Sequence, residues 1–385
     1  MFSEEQKVFV ALVRVGLWKN DEEKVLVEQE LKINDSMDWS QVYRLAEEQS
    51  VVGLVATGIN RVQKVASIGA RNQSSEQKFK SLRGEEFKGT SKVPKTISLK
   101  FVGRTMQLEH HNEEMNHFIS ELVDKLREKG IETLLVKGQG LAQCYEQPLS
   151  RASGDVDLLL DEENYKKAKD YLLPLATKHK REERYSKHLG IDIDPWYVEI
   201  HGTLRTGLSE RVDKMVDAVQ EDVFRNGRVR IWMNNNTRVL LPAPNHDTFM
   251  VFTHFIKHFY KKGMVLRQIC DWVRLLWTYR GEIDAPLLKS WVNRAGLMNE
   301  WQAFASLAVD QLGMPAEAMP FYDSRCRDKG ERLLAFILEG YSGKKLRDTL
   351  RIAKLFPWKA LCYSPSIFWT VNWLKVKERM TLIND

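Results

Sequence analysis

The sequence predicts an α+β fold in which a small mixed β-sheet is embedded between N-terminal and C-terminal helical regions. Short apolar runs of strand length cluster in the middle of the chain: Leu134-Leu135-Val136, Asp155–Leu160 and Val198–His201. A hairpin pattern follows, with Ile231-Trp232 and Val239-Leu240-Leu241 flanking the turn residues Asn234-Asn235-Asn236. On either side of these strands the apolar residues recur at three- and four-residue steps, the period of helices packed by one face.

In chain order, Val8, Leu12 and Val15 with Leu17 predict a first helix, and Leu26–Leu31 and Trp39–Glu48 predict others. Val51-Val52-Gly53-Leu54-Val55 reads as a further short helix or a buried turn. Residues 61–100 are rich in Ser, Gly and Lys and hold ten Lys/Arg against three acids, a local +7. We read this stretch as a basic, flexible insertion. Met115, Phe118, Ile119, Leu122, Val123 and Leu126 then form an amphipathic helix, with Gly130 where a C-terminal glycine cap belongs. Beyond Leu160, Asp161 caps a helix whose first turn is Glu162-Glu163, matching the helix dipole. Residues 188–201 look β-like, residues 209–224 helical, and from Asn245 onward helices alternate with turns near Gly263, Gly281, Gly313 and Gly340.

The length of 385 residues fits two or three packed subdomains. The boundaries fall into an N-terminal helical region (1–60), the insertion (61–100), a core (101–242) and a C-terminal helical region (243–385). The net charge of +6 invites a nucleic-acid reading, but the insertion accounts for all of it and leaves −1 for the rest. A solvated loop is the favoured reading of the insertion and a nucleic-acid arm the less favoured one. Four cysteines (144, 270, 326 and 362) lie far apart without paired spacing, which predicts reduced thiols, neither a disulfide framework nor a zinc site. The N-terminus MFSEEQKVFV lacks the basic-then-apolar pattern of a secretory leader. The uncharged run Ala360–Leu374 contains Pro365 and falls short of the ~20 residues of a spanning helix. These features predict a cytoplasmic protein with no transmembrane segment. The aromatic residues Phe356, Trp358, Phe368, Trp369 and Trp373 then read as core packing or an oligomer contact, in preference to a membrane surface.

The stretch that carries chemistry is LLVKGQGLAQCYEQPLSRASGDVDLLL, from Leu134 to Leu160, together with Val198–His201. Alternation along a strand puts Asp155 and Asp157 on one face with Val156 and Leu158 opposite, and Glu199 and His201 on one face with Val198 and Ile200 opposite. If the two strands are neighbours, Asp155, Asp157 and Glu199 converge. Three oxygen donors suit Mg²⁺ or Mn²⁺. Lys137-Gly138 sits where a strand hands over to a helix, so its N–H groups and amine can cradle phosphate. Arg151 either binds phosphate bidentately or pairs with a nearby acid.

Gly-Asp-Val-Asp-Leu-Leu-Leu, preceded by Lys137-Gly138 and Arg151 and followed by Val-Glu-Ile-His, resembles the uncharacterised nucleotidyltransferase family of the DNA polymerase β-like superfamily. The resemblance runs from roughly Leu134 to Asp271 and implies that residues 101–242 hold a nucleotidyltransferase core. It implies Mg²⁺ (or Mn²⁺) on Asp155, Asp157 and Glu199, which would be the catalytic residues, and a nucleoside triphosphate (ATP among the candidates) as substrate. A nucleoside monophosphate would pass to a hydroxyl or phosphate acceptor, with pyrophosphate released. Lys137, Gly138, Arg151 and His201 would bind the nucleotide. So would His254 and His258 on one later helix and Arg267 and Asp271 on the next. Arg267 and Asp271 also suit a simple i,i+4 ion pair. The chain departs from the superfamily pattern in lacking a Gly-Ser turn close before the acids and in carrying Glu at 199. That departure keeps open an inactive nucleotide-binding or protein-interaction module on the same scaffold. A third reading gathers His246-Asp247 with His254, His258 and Asp271 into an HD-type phosphohydrolase site.

Overall fold

The computed structural model describes residues 2–18, 37–62, 93–183, 185 and 187–363. At its centre is a seven-stranded mixed sheet in the order β3-β4-β5-β2-β1-β7-β6. The strands are β1 (Leu134–Val136), β2 (Val156–Leu159), β3 (Lys178–His179), β4 (His188–Ile193), β5 (Trp196–His201), β6 (Val229–Asn234) and β7 (Thr237–Pro242). β2 runs antiparallel to β1 and parallel to β5, and β1 runs parallel to β7. The sheet is thus mixed, as the sequence predicts. The β6–β7 hairpin pairs Asn234 with Thr237, leaving Asn235-Asn236 as a two-residue turn. Asn235 takes a φ of +53° there, the left-handed region that asparagine tolerates.

The period-two pattern assigns each strand residue to one of two apolar layers. Leu135, Val156, Leu158, Val198 and Ile200 pack under Met115, Ile119, Leu122, Val123 and Leu126 of the long helix that precedes β1. Tyr165, Ala168 and Leu172 of a second helix, Glu162–Leu172, complete that layer. Asp161 caps this helix, accepting from the Asn164 amide. On the opposite face Leu134, Val136 and Leu159 join a larger core shared by the N-terminal and C-terminal helices. Asp157, Glu199 and His201 alternate onto this second face, so the sheet presents its acids to the helical frame.

We number only the helices that shape the site: α1 (Lys95–Glu128), α2 (Gly138–Ala142), α3 (Pro244–Lys261) and α4 (Leu266–Thr278). α3 buries Phe252, Phe255 and Phe259 against Trp272 of α4 and against Trp301 and Phe304. Its other side faces the sheet. Each such fully buried ring contributes roughly 1.5–3 kcal/mol, which holds α3 and α4 at a fixed height above β2 and β5.

Helix α1 begins at Lys95, so the last residues of the basic segment are helical, as are residues 52–62 before it. The stretch 63–92 and the expected helix Leu26–Leu31 lie outside the described residues. Sequence periodicity missed the start of α1 for a physical reason. Its first turns bury only Ile97 and Phe101, while Leu99, Val102 and Met106 stand exposed, so no clean apolar stripe marks the helix. Phe356 is buried and Trp358 is exposed, whereas Phe368, Trp369 and Trp373 lie outside the described residues. The four cysteines are free thiols. Among the described residues no helix is long and apolar enough to cross a membrane.

Candidate active site

The parallel pairing of β2 with β5 sets Asp157 directly beside Glu199. Asp155 lies one residue before β2, on the same face. One carboxylate oxygen from each of Asp155, Asp157 and Glu199 falls within 4.8 Å of the others. They line a cleft of about 410 Å³ between the sheet and helices α3 and α4.

The acids are electrostatically unequal. Asp157 is buried and accepts from Lys137 Nζ at 2.6 Å, and its Oδ1 lies 2.7 Å from His201 Nε2. Burial works against its ionisation, but Lys137 and His201 outweigh that and hold it well below the usual carboxylate range. Asp155 has neither partner. The charge of Asp157, followed by burial, pushes it up to about 6. For Glu199, burial pushes up, yet the nearness of His188 (Nε2 to Oε2 3.0 Å) leaves it below its ordinary value.

Lys137 is placed by its backbone. It leaves β1 with a φ of +59° and is followed by Gly138 at +40°. A lysine there stores strain, and the turn aims its amine at Asp157. Its charge neutralises an acid of the sheet, beside the place where the sequence predicts a phosphate. Burial alone would lower its pKa, but Asp157, Asp155 and Glu199 together raise it.

The loop that delivers Asp155 is fastened from three helices. Asn112 of α1 donates to the carbonyls of Leu149 and Arg151, and Gln139 of α2 donates to Ser153 Oγ. From α4, Arg267 Nη1 donates to the Ala152 carbonyl. Gly53 permits a further contact, since any Cβ there would collide with the Ser150 carbonyl.

Arg151 and Asp271 form a buried bidentate pair, Nε to Oδ1 2.9 Å and Nη2 to Oδ2 2.7 Å. Tyr145 adds a hydroxyl donor to Asp271 at 2.8 Å. Of the two arrangements the sequence allowed for Arg151, the structure adopts the ion pair. It also replaces the i,i+4 pairing expected between Arg267 and Asp271, because Asp271 turns to the arginine across the helix interface. Arg267 still reaches the cleft, and its buried Nε has no hydrogen-bond partner among the described residues.

The helical wall of the cleft carries His254, Lys257, His258, Lys261 and Lys262 of α3 and its end, with Arg205 beside them. Lys261 is committed to the carbonyls of Thr206 and Gly207. His258 is pushed down to about 4 by burial and then by Lys137, Lys257 and Lys262. His254 is lowered too, by burial and then by Lys137. For a histidine lowered in this way, the unfolded chain takes up a proton on acidification before the native chain does. Stability is therefore fully present above about pH 6.5 and falls as the pH drops toward 4. We expect His258→Asn to flatten the decline between pH 7 and pH 5 by on the order of 1 kcal/mol, as read by urea unfolding of metal-free protein.

His246 and Asp247 lie elsewhere. His246 Nε2 sits 2.6 Å from Asp222 and Asp247 pairs with Arg230 at 2.7 Å. The phosphohydrolase grouping therefore does not assemble. Sequence reading missed His188, Lys257, Lys262 and Arg205. His188 had a signal: it mirrors His201 across the Asp194-Pro195 turn, and the hairpin register pairs the two directly.

No curated protein and no solved structure matches the chain. A family model described as uncharacterised nucleotidyltransferase matches residues 35–313, which takes in the whole sheet, the loop carrying Asp155 and both helices over the cleft. The chain belongs to this nucleotidyltransferase family.

Proposed function

We propose that the protein is a divalent-cation-dependent nucleotidyltransferase of polymerase β-like type, moving a nucleoside monophosphate from a nucleoside triphosphate to a hydroxyl or phosphate acceptor. The observation that carries this is the convergence of Asp155, Asp157 and Glu199 on one spot facing a cationic wall. Their donor set is all oxygen, the kind that Mg²⁺ or Mn²⁺ takes, so Asp155, Asp157 and Glu199 would hold such a cation. A bound cation would supply charge stabilisation at the reacting phosphate. The remaining work falls to the chain's own groups. Lys137, which lines the cleft beside Asp157, would meet a phosphate oxygen. Arg267, Lys257 and His258 offer donors to the departing pyrophosphate. Glu199, held ionised, is better suited to ligation than to taking a proton. In the transfer an acceptor oxygen bonds to the α-phosphorus, a hydroxyl acceptor losing its proton to solvent in the cleft. The bond to the α–β bridging oxygen breaks, and pyrophosphate leaves with that electron pair.

A second reading, nucleotide binding without turnover, draws on Lys137, whose amine already balances Asp157 without any cation. Incubation with each α-labelled triphosphate, Mg²⁺ and cell extract separates the two. The transferase releases pyrophosphate and moves label into a new product, and chelation by EDTA abolishes both. Nucleotide binding with neither signal would select the module.

A further inference from the structure

We propose that His188, Glu199 and His201 form a second cation site, built from two imidazoles and a carboxylate, that takes a borderline transition ion of the Zn²⁺ class. The register of the β4–β5 hairpin sets His188 opposite His201 and brings Glu199 onto the same face. The two rings lie parallel, 4.7 Å apart with 3° between their planes.

The donor atoms of the three residues lie within 4.8 Å of one another. His188 Nε2 is 3.0 Å and His201 Nε2 3.6 Å from Glu199 Oε2. These distances bracket the roughly 3.4 Å that separates tetrahedral ligands with bonds near 2.0–2.1 Å. His188 Nε2 is buried and has no aligned hydrogen bond among the described residues, despite its approach to Glu199. His188 Nε2 aims at the Glu199 carboxylate, whereas His201 Nε2 lies nearer Asp157 Oδ1, at 2.7 Å, and would give up that contact to the cation. Nitrogen donors favour Zn²⁺ or Co²⁺ over Mg²⁺, in contrast to the neighbouring oxygen set of Asp155 and Asp157, with which this site shares Glu199. All three residues also line the open cleft, which leaves a further coordination position accessible.

This site goes beyond the transfer reading and does not require it, since a chain without turnover would still bind its ion here. The test uses the metal-stripped full-length chain loaded with one equivalent of Zn²⁺ or Co²⁺. Zinc-edge X-ray absorption should show imidazole scattering, and Co²⁺ should give a visible ligand-field spectrum. His188→Ala should weaken Zn²⁺ binding by at least about tenfold, as loss of a ligand or its support does, and keep Mn²⁺ binding at the acids. Asp155→Asn should retain Zn²⁺. Oxygen-only scattering in the wild type would overturn the proposal, a result that does not depend on any variant folding. So would equal zinc affinity in His188→Ala, or zinc lost in Asp155→Asn and kept in His188→Ala.

Discussion

Asp155→Asn is expected to abolish label transfer and, at the same time, to make the metal-free protein more stable. Asp155 is pushed up to about 6 by the charge of Asp157 and by burial. A carboxyl raised in this way is ionised at neutral pH at a cost to the folded state. That cost is absent below about pH 4, grows as the pH rises toward 6, and is complete above it. An asparagine of the same shape removes the repulsion. The gain at pH 7.5 should be on the order of 1–2 kcal/mol, discounted for solvent in the cleft, and should vanish near pH 4. Activity should fall by on the order of 10³-fold, since losing a ligand at the reacting phosphate forfeits several kcal/mol of transition-state stabilisation. Asp157→Asn should differ in sign on stability, because it removes the negative charge that balances the Lys137 ammonium and leaves a neutral amide in its place. Urea unfolding in EDTA and pyrophosphate release measure the two properties separately. A neutral or destabilising Asp155→Asn would show that the acids do not repel as described.

Asp271→Ala should be the most destabilising single change in the site region, by roughly 3–5 kcal/mol, because it strands the Arg151 guanidinium in the interior. Arg151 and Asp271 are buried, with side chains about 5% exposed, and Tyr145 would lose its acceptor as well. The loop from Arg151 to Asp155 would keep only Arg267 on the Ala152 carbonyl as its anchor to α4, so transfer activity should fall even where the protein remains folded. Replacing both partners, as Arg151→Met with Asp271→Leu, should recover much of the stability and only part of the activity. Denaturation midpoints of the two singles and the double give the coupling energy. A purely additive result would mean that the pair contributes nothing as a pair.

The central strands were legible in the sequence because alternation and burial coincide there: every residue of β1 and β2 is buried, whereas the exposed β3 went unread. The approach of Glu199 to Asp157 was legible only on the condition that β2 and β5 are neighbours, which local pattern cannot supply. The partner of Arg151 was out of reach, since Asp271 lies 120 residues away and a phosphate or an acid would equally satisfy the local chemistry. His188 was hidden because its role depends on hairpin register and on ring orientation. Lys257 and Lys262 read as ordinary solvated lysines until α3 is seen to lie across the cleft mouth.

The parallel pairing of β2 with β5 has a kinetic consequence. Asp157 and His201 are 44 residues apart in the chain, and parallel neighbours meet only after a long crossover has closed. A divalent ion held as proposed by Asp155, Asp157 and Glu199 would therefore find scattered single ligands during refolding and its complete set only at the end. Such an ion acts chiefly by slowing escape from the native basin, and does little to hasten arrival there.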